Sequence, residues 1–144
     1  MALRQKNTKI KWSYPHIFEN ALQKDICKSG IGIYCISRIF NSKETIIYIG
    51  KAESNFVTRL KSHEKEWLHL YKGIKKIRLG LIVEPKKIID KIIPDVENGL
   101  IYEIKPIQNL KSTKGYTFYN YYKIQNIGYR GKIPKIVDMK EHIL

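Results

Sequence analysis

The chain has 144 residues, which fits one domain, 1–144, with a core that needs no covalent staples. Lys and Arg number 27 against 13 Asp and Glu, a net charge of +14 that disfavours basic partners and suits polyanions such as nucleic acid or anionic lipid. No apolar run approaches the roughly 18 residues of a membrane span, no apolar leader follows Arg4, Lys6 and Lys9, and Cys27 and Cys35 form neither a disulfide framework nor a metal knuckle, so the expectation is a cytoplasmic protein with no membrane partner.

In chain order, Ile17, Phe18, Ala21, Leu22 and Ile26 recur at helical spacing after Pro15, which predicts a helix from about Pro15 to Lys28. The runs Gly30 to Ile36 and Thr45 to Gly50, rich in isoleucine and tyrosine, flank the turn formers Asn41 and Ser42 and predict a β-hairpin. A turn centred on residue 41 sets Tyr34 directly opposite Tyr48. By parity Gly32 and Gly50 share that face, leaving bare backbone beside two phenols for a bulky ligand, while Cys35 points away toward the core.

After Gly50, Ser54 or Asn55 caps a second helix whose apolar stripe is Phe56, Leu60 and Trp67. Arg59 and His63, spaced i, i+4, project side by side next to that stripe, as a solvated pair or a functional one. From Lys75 to Glu84, Ile77, Leu79, Leu81 and Val83 alternate with Lys76, Arg78, Gly80 and Ile82, a third strand ending at Pro85. If that strand were a parallel neighbour of the second, a right-handed crossover would join them.

Lys87 to Lys91 fits a helical turn, and Pro94-Asp95 begins a helix to about Ile104. There Glu97, Leu100, Ile101 and Ile104 follow i, i+3, i+4, i+7, placing a carboxylate in line with core residues. Glu97 could serve the helix dipole or a metal or proton role, and both readings stay open. Between residues 111 and 130, Tyr116, Phe118, Tyr119, Tyr121, Tyr122 and Tyr129 interleave with Lys114, Lys123 and Arg130, which fits either an added strand or a surface that stacks on unpaired bases.

Gly32-Ile33-Tyr34, then Tyr48-Ile49-Gly50 with Lys51 directly after, Arg59 and His63 on the next helix, Glu97-Asn98-Gly99-Leu100-Ile101, and Pro106 to Asn109 resemble, in that order, the signature of the GIY-YIG nuclease superfamily. Residues 35 to 47 separate the two halves, slightly more than many members carry. The resemblance spans Gly32 to Asn109. It implies an α+β fold, a small three-stranded mixed or antiparallel sheet flanked by helices. The nuclease core would be about 30–110, between an N-terminal helical arm, 1–29, and an aromatic, basic C-terminal extension, 111–144.

The same resemblance implies a metal-dependent endonuclease that hydrolyses DNA phosphodiester bonds, of restriction or repair type. Tyr34, Tyr48, Arg59, His63 and Glu97 would be catalytic, Gly32, Gly50, Lys51 and Asn109 would bind substrate, and Glu97 would hold one Mg²⁺ or Mn²⁺ per site. Tyr34 is the implied general base. His63, with an ordinary pKa near neutrality, is the other proton carrier, and the choice stays open. A compact chain fits either a restriction-type homodimer that cuts both strands or a small stand-alone nuclease of repair or mobile-element origin. The alternative is a non-catalytic nucleic-acid-binding module on the same fold.

Overall fold

Thr8, Ile10 and Trp12 alternate with polar residues ahead of the hairpin, and in the structure, a computed structural model that describes residues 5–111 and 118–143, this alternation is a strand, Gln5–Trp12 (β1). The described elements continue with His16–Ile17 (β2), Phe18–Ala21 (α1), Asp25–Ser29 (α2), Gly32–Phe40 (β3), Lys43–Ala52 (β4), Phe56–Glu66 (α3), Ile74–Glu84 (β5), Ile92–Ile104 (α4), Tyr121–Gly128 (β6) and Ile136–Asp138 (β7). No helix among the described residues is long and apolar enough to cross a membrane.

The strands form one seven-stranded mixed sheet in the order β4-β3-β5-β1-β6-β7, with β2 pairing on β5. This overturns the expected small three-stranded sheet. The hairpin and third strand are only one end of it, an antiparallel β4-β3-β5 unit that β1 extends by pairing antiparallel to β5 and parallel to β6. β4 and β5 do run parallel, each being antiparallel to β3, but β3 lies between them, so the condition that they be neighbours is not met.

Two apolar layers cover the sheet. Ile33, Cys35 and Ile49 face α4, together with Ile10 and Trp12 of β1, Tyr122 and Ile124 of β6, and Met139. Tyr34, Ile36, Ile77 and Leu79 face Phe18, Ala21, Cys27, Phe56 and Leu60 from the helices on the opposite side. β3, buried from Gly32 to Ser37, is therefore covered on both faces, which explains its unbroken apolar run.

The expected helix from Pro15 to Lys28 is instead a two-residue strand and two short helices broken at Leu22 to Lys24. Its apolar residues do pack, since Phe18 and Ala21 are buried, but against the sheet end from separate turns. Lys87 to Lys91 forms bends and a turn rather than helix. In the C-terminal stretch the strand reading holds for Tyr121–Gly128, with Tyr122, Ile124 and Asn126 buried. Arg4, Lys114 and Tyr116 lie outside the described residues.

In α4 the fully buried acid is Asp95, while Glu97 and Ile104 are half-buried. Asp95 accepts hydrogen bonds from the backbone N–H of Tyr119 at 2.8 Å and of Asn120 at 3.0 Å, so it docks the start of β6 onto α4. Burial, only partly offset by those bonds, raises its pKa. Asp95→Ala leaves two N–H groups without their acceptor, and urea unfolding should show a loss of about 1–3 kcal/mol. Hydrogen exchange at Tyr119 and Asn120 should accelerate more than in β3; unchanged exchange there would remove Asp95 as the tether.

Candidate active site

Isoleucine-rich β3 and β4 present their side chains alternately, and a register shift decides which phenol meets which neighbour. Tyr34 pairs across from Gly50 and Ile36 from Tyr48, with an irregularity between Ile36 and Ser37 that follows the hairpin turn at Asn41 and Ser42. The expected direct Tyr34–Tyr48 opposition is therefore corrected to a diagonal one. The two rings still share a face, with centroids 6.1 Å apart.

The bare backbone predicted beside the phenols is also not open. A side chain at Gly50 would run into the Tyr34 ring, and one at Gly32 would strike the carbonyl of Gly80. Both glycines are needed for close packing of the protein on itself. Tyr34 is consequently fully buried.

Helix α3 brings the next groups. Asn55 caps it by accepting from the Thr58 N–H at 2.9 Å, and Phe56 and Leu60 bury its apolar side, which rotates Arg59 and His63 toward the phenols. His63 is buried, its Nε2 2.6 Å from the Tyr34 hydroxyl and its Nδ1 3.1 Å from the Trp67 indole nitrogen. Its ring meets Tyr48 edge-on at 4.7 Å. Arg59 is exposed, and its charge acts on both phenols.

Glu97 comes from α4, which packs on β4 and β3, and its charge is felt by Tyr34, Tyr48 and Arg59. Thus four of the predicted residues, Tyr34, Tyr48, Arg59 and His63, come together, and the charge of the fifth, Glu97, reaches them from α4. Lys51 does not join them. It pairs across from Ile33, on the face of Cys35 and Ile49, and its ammonium lies 3.0 Å from Glu53.

Asn109, expected at substrate, is buried and committed to the protein. Its amide oxygen accepts from the Ile49 N–H at 2.8 Å and its amide nitrogen donates to the Ile49 carbonyl at 2.9 Å, while the Gln108 N–H donates to the Ile47 carbonyl at 3.0 Å. Pro106 to Asn109 thereby closes the free edge of β4 on either side of Tyr48. Sequence reasoning missed Trp67, counted only as an apolar residue; its i, i+4 spacing from His63 was the available clue.

Electrostatically the cluster is neutral but for Arg59 and Glu97. Burial, reinforced by the neighbouring Tyr48, pushes the Tyr34 phenol well above its ordinary range, while Arg59 opposes this. Burial and Glu97 raise Tyr48 as well, against Arg59 and the neighbouring Tyr34. Burial alone would loosen the Arg59 proton, but the two phenols and Glu97 together hold it more firmly. His63 is lowered to about 4 by burial and by the Arg59 charge.

Among the described residues no group of three or more His, Cys, Asp or Glu side chains assembles, so a metal here would rest on one protein carboxylate. Mg²⁺ fits such a donor set, since it keeps most of its waters and takes one or two carboxylates plus substrate phosphate. Glu97, whose charge acts on both phenols and the guanidinium, is the carboxylate that could hold it.

The imidazole stays neutral in the folded protein down to about pH 4, whereas an unfolded chain protonates it near 6.5. The unfolded state thus binds more protons between those values, so stability falls as pH falls through that window. Urea unfolding from pH 7 to 4 should show a steeper decline for the wild type than for His63→Gln, and parallel declines would contradict the buried neutral imidazole. Comparison of the chain with protein-family models, curated proteins and solved structures gave no match.

Proposed function

We propose that this protein is a metal-dependent endonuclease that hydrolyses phosphodiester bonds in DNA, with the chemistry of the GIY-YIG enzymes its motifs resemble. The observation that carries this reading is the convergence of Tyr34, Tyr48, Arg59 and His63 with the charge of Glu97, contributed by four separate elements. The net charge of +14 adds attraction for a polyanion.

Arg59, exposed beside the two phenols, binds a non-bridging phosphate oxygen through its fixed fork of donors. Tyr48, half-buried at the mouth of the cluster, orients the attacking water or the phosphate, and the Tyr34 oxygen behind it takes the proton of that water while its own proton leaves by way of Tyr48 to bulk solvent. Asn109 keeps Tyr48 in place through the backbone of Ile49. Glu97 holds Mg²⁺ or Mn²⁺, which when bound polarises the phosphate and stabilises the departing 3′ oxygen. Cleavage of both strands by one such site calls for a second copy of the chain, in keeping with a restriction-type homodimer; a repair-type monomer would nick one strand.

One observation favours the second reading, a non-catalytic nucleic-acid-binding module: Tyr34 has no solvent exposure. The two readings separate on supercoiled plasmid. The enzyme nicks or linearises it with Mg²⁺ and stops with EDTA, and Glu97→Gln and Arg59→Ala each slow it at least about 100-fold while leaving the unfolding transition in place. Metal-independent, salt-sensitive binding with plasmid, branched and single-stranded DNA all left intact would overturn the nuclease in favour of the binding module.

A further inference from the structure

Trp67 follows the last turn of α3 and stacks among Tyr48, His63 and Tyr71, with ring centroids 5.2, 5.2 and 5.8 Å away. Its indole Nε1–H is a donor and has no acceptor capacity. That nitrogen lies 3.1 Å from His63 Nδ1, so Nδ1 must meet it with a lone pair. A neutral imidazole carries one ring proton, which then belongs on Nε2, 2.6 Å from the Tyr34 hydroxyl. An imidazolium would set two N–H groups face to face at the Trp67 contact.

We propose that Trp67 is a positioning residue of this site: its indole N–H holds His63 in the Nε2–H tautomer, so that His63 donates a hydrogen bond to the Tyr34 oxygen and does not receive the Tyr34 proton.

The direction of the remaining bonds follows. With its oxygen accepting from His63, Tyr34 turns its own proton elsewhere. Arg59 offers only donors, so it too meets the Tyr34 oxygen from the donor side. The chain runs one way, Trp67 to His63 to Tyr34. In this arrangement His63 stabilises charge on the phenol oxygen, and it is not a base toward it. The benefit to cleavage rests on the nuclease reading above; the tautomer itself does not.

Long-range ¹H–¹⁵N correlation on the uniformly ¹⁵N-labelled full chain reads the tautomer directly, with His63→Gln identifying the His63 signals among the four histidines. The expected spectrum shows His63 Nε2 as a protonated, pyrrole-type nitrogen and Nδ1 as pyridine-type. Trp67→Phe keeps an aromatic ring in the stack but removes the donor. It should shift Nδ1 toward the average of the two tautomers and slow single-turnover cleavage about tenfold or more with KM unchanged. A wild-type proton on Nδ1 or on both nitrogens overturns the proposal, and so does a folded Trp67→Phe whose His63 signals do not move. Should that variant not fold, the wild-type spectrum alone decides. An Nε2–H tautomer in a protein that cleaves no DNA would uphold the Trp67 role and overturn the nuclease.

Discussion

The hydrogen bond between Tyr34 and His63, 2.6 Å long and buried, is the joint on which the rest of the site depends. It ties a central strand of the sheet to α3, and both partners are in place only because their surroundings leave no alternative. Tyr34 lies flat across Gly50, where any side chain would displace the ring, and Phe56 closes on it edge-first at 6.3 Å. His63 is fixed from behind by Trp67. Unpaired, a hydroxyl and an imidazole at this depth would each cost on the order of 1–3 kcal/mol, so the pairing stabilises the fold and sets the chemistry together.

The second requirement is that the outer edge of β4 be covered, since β4 is the last strand at its end of the sheet. The side-chain amide of Asn109 serves the Ile49 backbone as a neighbouring strand would, and Gln108 extends this to Ile47. The same segment follows α4, so the helix that carries Glu97 is anchored at its C-terminal end to the strand that carries Tyr48. That linkage joins the helix covering one face of the sheet to the strand whose Tyr48 lies on the other.

Local chemistry made part of this legible in the sequence. The hairpin, the Asn55-capped helix and the alternating strand to Glu84 all carry their cues in consecutive residues, and the structure contains each of them. Parity put Tyr34 and Tyr48 on one face, but the turn centred between Asn41 and Ser42 and the irregularity after Ile36 each move the pairing by one residue, so that Tyr34 meets Gly50. The extent of the sheet was not readable, because β1 buries only Thr8, Ile10 and Trp12 and is completed by β6, more than a hundred residues away in the chain. In α4 helical spacing favoured Glu97 as the inward acid. The decisive fact, that the Tyr119 and Asn120 N–H groups arrive at Asp95, belongs to tertiary structure.

The central claim is that this cluster cuts a phosphodiester bond, and Tyr34→Phe addresses it most directly, since the ring stays over Gly50 and only the hydroxyl is lost. Single-turnover cleavage of an end-labelled DNA duplex with Mg²⁺ is the measurement. The account predicts products ending in 5′-phosphate and 3′-hydroxyl from the wild type and loss of cleavage in a folded Tyr34→Phe. Cleavage at the wild-type rate by that variant, or an intact duplex with the wild type, would contradict it.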